Sequence, residues 1–350
     1  MSRLRRKDEH VKYSLLHRPG VADFSEINFV HNCLPEKNLK EVSLESTLFG
    51  DPLRVPLFFN AVTGGTPLAF KINAALAEVA RLFGLPMALG SQMVALEKPA
   101  AAASFQVVRR RNPRGIIWAN IGAYASPEMV RRAVEMVEAS AVQIHLNVPQ
   151  ELFMGEGDQR FQGNLDRIRE IARRVEVPVI AKEVGFGVAG EQARQLLEAG
   201  VAAIDVGGRG GTNFLEIEGR RSGRRFSPEL YSWGIPTAIS LAEVLVAVEN
   251  RIPVLAAGGM ASSMNIAKAL ALGARAVGLA AMPVYILLKR GRQALIREIA
   301  RLERELRLIM LMAGASSLEE LRRVPLVITG FTAEWLQRRG IDPSSFTHRT

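Results

Sequence analysis

Pro178-Val179-Ile180-Ala181-Lys182-Glu183-Val184, followed after one helical stretch by Ala202-Ala203-Ile204-Asp205-Val206-Gly207, decides how this chain folds. Each segment is short and almost continuously apolar, as strands are when both faces of a sheet are covered. Pro253-Val254-Leu255-Ala256 repeats the pattern. Working outward, β-rich segments alternate with helical ones from about residue 54, which calls for parallel strands joined by helices. The candidate strands are 54–60, 86–90, 115–120, 141–147, 178–184, 202–207, 253–258 and 276–280. Eight such units predict an α/β fold of the (β/α)8, or TIM, barrel type.

Helix punctuation supports the spacing. Ser126-Pro127-Glu128 opens a helix with a serine cap and a first-turn proline, and Leu272-Gly273 closes another. Leu295, Ile299, Leu302, Leu306 and Ile309 form one apolar stripe on a long helix after the last strand. That stripe is expected to seal the barrel wall, the alternative being a contact with another subunit. Residues 1–50 carry Pro19-Gly20, Pro35 and scattered charges, and read as an N-terminal extension draped over a single barrel domain, 51–350.

Composition narrows the classes. The 350 residues are 48% hydrophobic and 23% charged, a globular balance. The longest apolar run, 276–288, is interrupted by Gly278 and Pro283 and is too short for a membrane span. The N-terminus has no apolar stretch after its basic residues, so no secretory signal is read and a cytoplasmic location is expected. A single cysteine, Cys33, excludes an intramolecular disulfide and reads as a buried thiol. The net charge of +10 favours polyanions, either RNA or small phosphorylated ligands. Aromatic residues are only 6% and the basic ones are scattered, which argues against nucleic acid.

In a barrel of this kind, chemistry sits at the C-terminal ends of the strands. There the sequence places Asn60-Ala61-Val62-Thr63-Gly64-Gly65, Gly90-Ser91-Gln92, Asn120-Ile121-Gly122, Gln143-Ile144-His145-Leu146-Asn147 with Gln150-Glu151, Lys182-Glu183, and Gly207-Gly208-Arg209-Gly210-Gly211-Thr212-Asn213. Any one could be an ordinary turn. Together, small residues that admit a flat ring and Thr63, Ser91 and Asn120 as hydrogen-bonding groups suit a flavin. Gly258-Gly259 and Gly278-Leu279-Ala280-Ala281 stand where such barrels bind a phosphate. An inward Lys182 requires an anionic partner, either a reduced flavin or a carboxylate; alternation along the strand disfavours Glu183 and leaves Asp205. Glu151 is a candidate Mg2+ ligand, because Mg2+ commonly takes one or two protein carboxylates and bridges substrate phosphates.

These motifs, with Arg6-Lys7-Asp8-Glu9-His10, Lys182-Glu183-Val184-Gly185, Trp233-Gly234-Ile235-Pro236-Thr237 and Ala267-Lys268-Ala269-Leu270, resemble the type 2 isopentenyl-diphosphate isomerases over nearly the whole chain. The resemblance implies FMN contacts at Ala61, Val62, Thr63, Ser91, Asn120, Lys182, Thr212, Gly258, Gly259, Ala280 and Ala281. It implies that Arg6, Lys7 and His10 grip a diphosphate, that Glu151 holds Mg2+, and that Gln150 sits beside the substrate alkene with His145 and Asn147 lining the same pocket. The implied activity interconverts isopentenyl and dimethylallyl diphosphate, with FMN first reduced by NADPH or another reductant, in a homo-oligomer without nucleic-acid or membrane partners. Two positions depart from the family pattern: Val62 stands where Met is usual, and Met260-Ala261 follows the Gly-Gly pair where an Arg is usual. The basic segment 218–225 is read as a lid or a subunit contact. A 2-hydroxy-acid oxidase or dehydrogenase on the same scaffold is the competing enzyme reading.

Overall fold

The computed structural model describes residues 3–14 and 20–347, with side chains from Lys7 to Tyr13 and from Gly20 onward. Eight parallel strands close into a barrel in chain order. They are β1 (Leu57–Phe59), β2 (Met87–Ala88), β3 (Ile117–Gly122), β4 (Ala141–Leu146), β5 (Val179–Glu183), β6 (Ala203–Asp205), β7 (Val254–Ala256) and β8 (Ala276–Leu279), one in each expected segment. The ring closes where Val277 of β8 pairs with Leu57 of β1.

Side chains that alternate along a strand stack in layers inside such a barrel. The lowest layer is apolar: Phe58, Ala88, Trp118, Ala141, Ile180, Ala203, Leu255 and Ala276, one from each strand. Leu48 and Leu53 join it from a hairpin, Ser46–Leu48 paired with Asp51–Leu53, which plugs the N-terminal end of the barrel. The two-residue turn of this hairpin, Phe49-Gly50, has φ of 54° and 87°, the left-handed pair that matches strand twist. Two residues further along, the inward layer turns polar at Asn60, Asn120, Gln143, Lys182 and Asp205, all buried. The barrel is thus greasy below and hydrogen-bonding above.

Capping follows the sequence signals. The Ser126 hydroxyl accepts from the Met129 amide at 3.3 Å, and the Thr66 hydroxyl does the same for Ala69 at 3.1 Å. In the helix Arg292–Met312, Leu295, Ile299, Leu302 and Leu306 are fully buried and Ile309 nearly so. This helix packs on Ser263–Leu272 and Ala281–Arg290, so the stripe seals its own barrel wall. Burial of each such side chain is worth about 1.5–3 kcal/mol.

Residues of the N-terminal region pair with distant parts of the chain. Ile27–Phe29 pairs antiparallel with Leu326–Ile328 near the other end of the chain. Asn265 donates to the Ala22 carbonyl at 2.6 Å and buried Lys268 to that of Phe24 at 2.9 Å. Cys33 corrects the sequence reading: it is exposed, because the segment around it runs over the surface as a strap and contributes no core face. Among the described residues no helix is long and apolar enough to cross a membrane.

Candidate functional site

Asn60, Asn120 and Lys182 of the polar layer reach the floor of a cleft of about 1570 Å3, open mouth included, at the C-terminal end of the barrel, with Gln143 and Asp205 buried beneath them. Its wall contains Ala61, Val62, Ser91, Asn120, Lys182, Thr212, Gly258, Gly259, Ala280 and Ala281, together with His145, Asn147, Gln150, Glu151, Lys7 and His10. The fold therefore converges residues spread over nearly the whole sequence. Thr63 is the exception, since it is buried beside the cleft and does not line it. The Arg6 side chain lies outside the described residues.

A continuous chain of side-chain hydrogen bonds crosses the floor. Asn60 donates to Asp205 Oδ2 at 2.7 Å, Gln143 to Asn60 Oδ1 at 3.0 Å, and Asn120 to Gln143 Oε1 at 3.0 Å. His145 Nδ1 meets Asn120 Oδ1 at 2.9 Å. Gln92, fully buried, ties the chain to the wall by accepting the Asn120 backbone N–H at 3.0 Å and donating to the Ala133 carbonyl. Burial, reinforced by the nearby Lys182 and Lys7 charges, pushes the His145 pKa down to about 3, so the ring is neutral.

Lys182 lies beside His145 in the strand register. Its ammonium donates to the Glu183 carbonyl at 2.8 Å and stands 3.8 Å from Asp205 Oδ2. Asp205 is thus the protein carboxylate near Lys182. The Glu183 side chain turns away, as strand alternation requires, and accepts from the amides of Gly185, Phe186 and Gly187. Burial raises the Asp205 pKa above its ordinary value despite Lys182 and the Asn60 hydrogen bond. An ammonium with three donors, one short hydrogen bond and a loose ion pair retains the capacity to meet an anionic ligand in the cleft.

On the β4 side, the short helix Val148–Phe153 carries Gln150 and Glu151. Asn147 donates to Glu151 Oε1 at 2.8 Å and, more weakly, to Gln150 Oε1 at 3.4 Å, while the Asp158 amide bonds Glu151 Oε2 at 2.9 Å. Among the described residues no group of three or more acidic, His or Cys side chains could cage a metal. Glu151 by itself suits Mg2+ that takes its other ligands from water and phosphate.

The N-terminal helix Arg3–Ser14 crosses the mouth of the cleft. Val11 is buried, Lys7 donates to the Ser91 carbonyl at 2.6 Å, and Thr66 donates to Asp8 at 2.6 Å. His10 Nε2 meets the buried Glu218 carboxylate at 2.7 Å, and Arg221 bridges Glu218 and Glu156 at 2.7 and 2.8 Å. Burial raises the Glu218 pKa, but hydrogen bonds from His10 and Arg221 outweigh it and hold the carboxyl below its ordinary value. The first part of the basic segment 218–225 is accordingly a packed clasp: Glu218 and Gly219 are buried in the helix Phe214–Ser222.

The residues present fit a flavin mononucleotide. The helix Ala281–Arg290 begins at the cleft, whose wall also holds Gly258 and Gly259, and a helix N-terminus has the free N–H groups that suit a phosphate. Gly259 has φ of 74°, and a Cβ there would stand 2.3 Å from the Gly210 carbonyl, so the loops after β6 and β7 nest at a distance only glycine allows.

Sequence reasoning singled out the cleft wall but missed the roles of Gln143, Asp205 as an end of the chain, Glu218, and Phe214, Met154 and Ile217, which add apolar wall. Strand alternation could have found the first two, since Gln143 lies two residues before His145 and Asp205 is in register with Lys182. Nothing local marked Glu218.

Comparison with known proteins agrees with this geometry. The profile of the FMN-dependent dehydrogenase family matches residues 150–327. Among solved structures, a putative lactate oxidase of Pediococcus acidilactici superposes with a TM-score of 0.69 at 18% identity, covering 93% of each chain, and a mandelate oxidase variant with a TM-score of 0.64 at 21%, covering 92% of each. At such identities they attest the fold alone. Proteins named isopentenyl-diphosphate delta-isomerase are far more similar: that of Moorella thermoacetica is 46% identical over 97% of both chains, that of Bacillus licheniformis 44% over the whole of both, and that of Symbiobacterium thermophilum 44% over 99% of both. With this barrel, this cleft and identity sustained from end to end, the chain belongs to the type 2, FMN-dependent isopentenyl-diphosphate delta-isomerase family.

Proposed function

We propose that the protein interconverts isopentenyl diphosphate and dimethylallyl diphosphate, using reduced FMN and Mg2+. The observation that carries the proposal is the full-length identity of 44–46% to proteins named for that activity. The reaction adds a proton at the terminal alkene carbon and removes one two bonds away, with no net oxidation.

The cleft geometry supports a cofactor-centred proton transfer. His145 is neutral, with its pKa pushed down to about 3, and Gln150 is an amide, so neither is matched to shuttling a proton near neutral pH. Bound FMN in its reduced form supplies the proton donor and acceptor. Ala61, Val62, Ser91 and Asn120 would hold the ring, Lys182 would offer its ammonium to the ring's negative charge, and Thr212, Gly258, Gly259, Ala280 and Ala281 would receive the phosphate. Lys7 and His10, with Arg6, grip the diphosphate, and Glu151 would hold Mg2+ against it. Gln150, His145 and Asn147 orient the five-carbon chain, while Val11, Met154, Phe214 and Ile217 exclude water from it. Binding energy from the remote diphosphate thereby positions a hydrocarbon with few handles of its own. NADPH or another reductant would bring FMN to its reduced form, and a cytoplasmic homo-oligomer belongs to the same proposal.

The test is anaerobic conversion of isopentenyl diphosphate by protein supplied with FMN, reductant and Mg2+. Flavin-dependent product without matching consumption of reductant supports the proposal. Oxidation of a 2-hydroxy acid with stoichiometric flavin reduction would instead favour the dehydrogenase reading, which rests on the match to residues 150–327. Folded protein that binds no FMN would overturn both.

A further inference from the structure

Gln143 is fully buried, does not line the cleft, and is one of the two inner links, with Asn120, of the hydrogen-bond chain between Asn60 and His145. The direction of that chain is fixed at one end. Asn60 Oδ1 accepts the Ala61 backbone N–H at 2.8 Å, and a backbone N–H can only donate. On its other side Asn60 Nδ2 faces the Asp205 carboxylate at 2.7 Å, an acceptor when ionised. Both partners demand the same orientation of the Asn60 amide.

Each following amide has one orientation that avoids donor against donor or oxygen against oxygen. Gln143 must turn its NH2 to Asn60, and therefore its carbonyl to Asn120. Asn120 must give its NH2 to Gln143, and therefore its carbonyl to His145 Nδ1. The nitrogen that meets this carbonyl must carry the ring proton. We propose that Gln143 is a positioning residue that fixes His145 as its Nδ1–H tautomer, so that the ring presents an unprotonated Nε2 to the cleft. The inference rests on the isomerase reading only in giving His145 a place in the substrate pocket; the tautomer follows from the chain alone.

A neutral His145 so held is a hydrogen-bond acceptor at Nε2 and not a donor. A ligand N–H or a water can be bonded there directly, whereas a phosphate oxygen requires a ring that has first gained a proton. The opposite tautomer would set a nitrogen lone pair against the Asn120 carbonyl. An unmade buried hydrogen bond of this kind disfavours that tautomer by about tenfold or more.

The experiment is long-range 1H–15N correlation on holoenzyme with 15N-labelled histidine, a chain with five histidines, the His145 signals being those lost in His145→Gln. The expected wild-type spectrum has the proton on Nδ1, with the Nε2–H form at about a tenth or less. Gln143→Met keeps the volume but cuts the chain, leaving Asn120 able to turn over, so the Nε2–H form should rise to a population comparable with Nδ1–H. Gln143→Glu, whose buried carboxyl stays protonated, can still donate to Asn60 and accept from Asn120, and should restore the wild-type pattern. A wild-type ring protonated on Nε2 overturns the proposal, as does a folded Gln143→Met with an unchanged tautomer ratio. Should Gln143→Met fail to fold, the spectra of wild type and Gln143→Glu decide, and Nε2–H in either refutes it. Protein with the expected tautomer but no isomerase activity would sink the functional reading and leave this one standing.

Discussion

Replacing Lys182 by Met removes the cation that stands 3.8 Å from the fully buried Asp205. At that distance and an effective dielectric of about 20, the lost attraction is about 4 kcal/mol. Asp205 can limit the loss by taking up a proton, at about 1.4 kcal/mol per pH unit above its pKa, and burial has already raised that pKa. A net destabilisation of about 2–4 kcal/mol is therefore expected near neutral pH. With an unfolding entropy of about 2.1 cal/mol/K per residue, the melting temperature of this 350-residue chain should fall by about 3–5 °C. The sign with pH follows from the carboxyl: below its folded pKa no unpaired charge remains, so the loss shrinks in acid and grows as pH rises. The assay is thermal and urea unfolding of flavin-free protein, with Lys182→Met, Asp205→Asn and the double variant in one cycle. The double variant should regain most of the stability, because no unpaired charge is left buried. Equal stability of Lys182→Met and wild type across pH, or a double variant as unstable as the two losses summed, would refute the electrostatic account of this pair.

Gly259→Ala forces a Cβ to within 2.3 Å of the Gly210 carbonyl at a left-handed backbone position, so FMN affinity should drop at least about tenfold in a flavin fluorescence titration; wild-type affinity would contradict the phosphate assignment. Glu218→Ala releases His10 and removes the Glu218 bond from Arg221, so KM for isopentenyl diphosphate should rise about tenfold with a smaller change in kcat, and the N-terminal helix should be cut faster by protease. His145 has its pKa lowered from 6.5 to about 3, so its contribution to stability is whole above pH 6.5 and is lost as pH falls toward 3. His145→Gln should accordingly flatten the acid side of the stability curve, and the pH profile of kcat should show no ionisation near 6.5 from this ring. Glu151→Gln should raise the Mg2+ concentration for half-maximal activity by about tenfold, measured by Mg2+ titration at saturating substrate; an unchanged requirement would remove Glu151 from the metal site.

The barrel was legible because its signals are local. Segments such as 178–184 and 253–258 are apolar on both alternate positions and so must be covered on both faces, and the serine-proline start at 126–127 places a helix between strands. The site wall was legible for a related reason: strand ends are the one place in this fold where polar residues are not filling the barrel, so Ser91, Lys182 and Thr212 stood out by position. The stripe on Arg292–Met312 announced a buried face from its period, and its burial against the neighbouring helices settled which surface it covers.

What the sequence by itself determined, then, is the set of residues that the barrel brings to one mouth, since the period of a strand and the βα repeat are encoded within a few residues of each other. Which of those residues touch was decided only by tertiary structure. The Asn60–Gln143–Asn120–His145 chain joins three strands, its members set opposite one another by the barrel's closure and strand register. The pairing of His10 with Glu218 joins positions 208 residues apart, and the exposure of Cys33 depends on where a strap with no periodicity happens to run. Hydrogen-bond direction, tautomer and burial are properties of such juxtapositions, and no local pattern of side chains carries them.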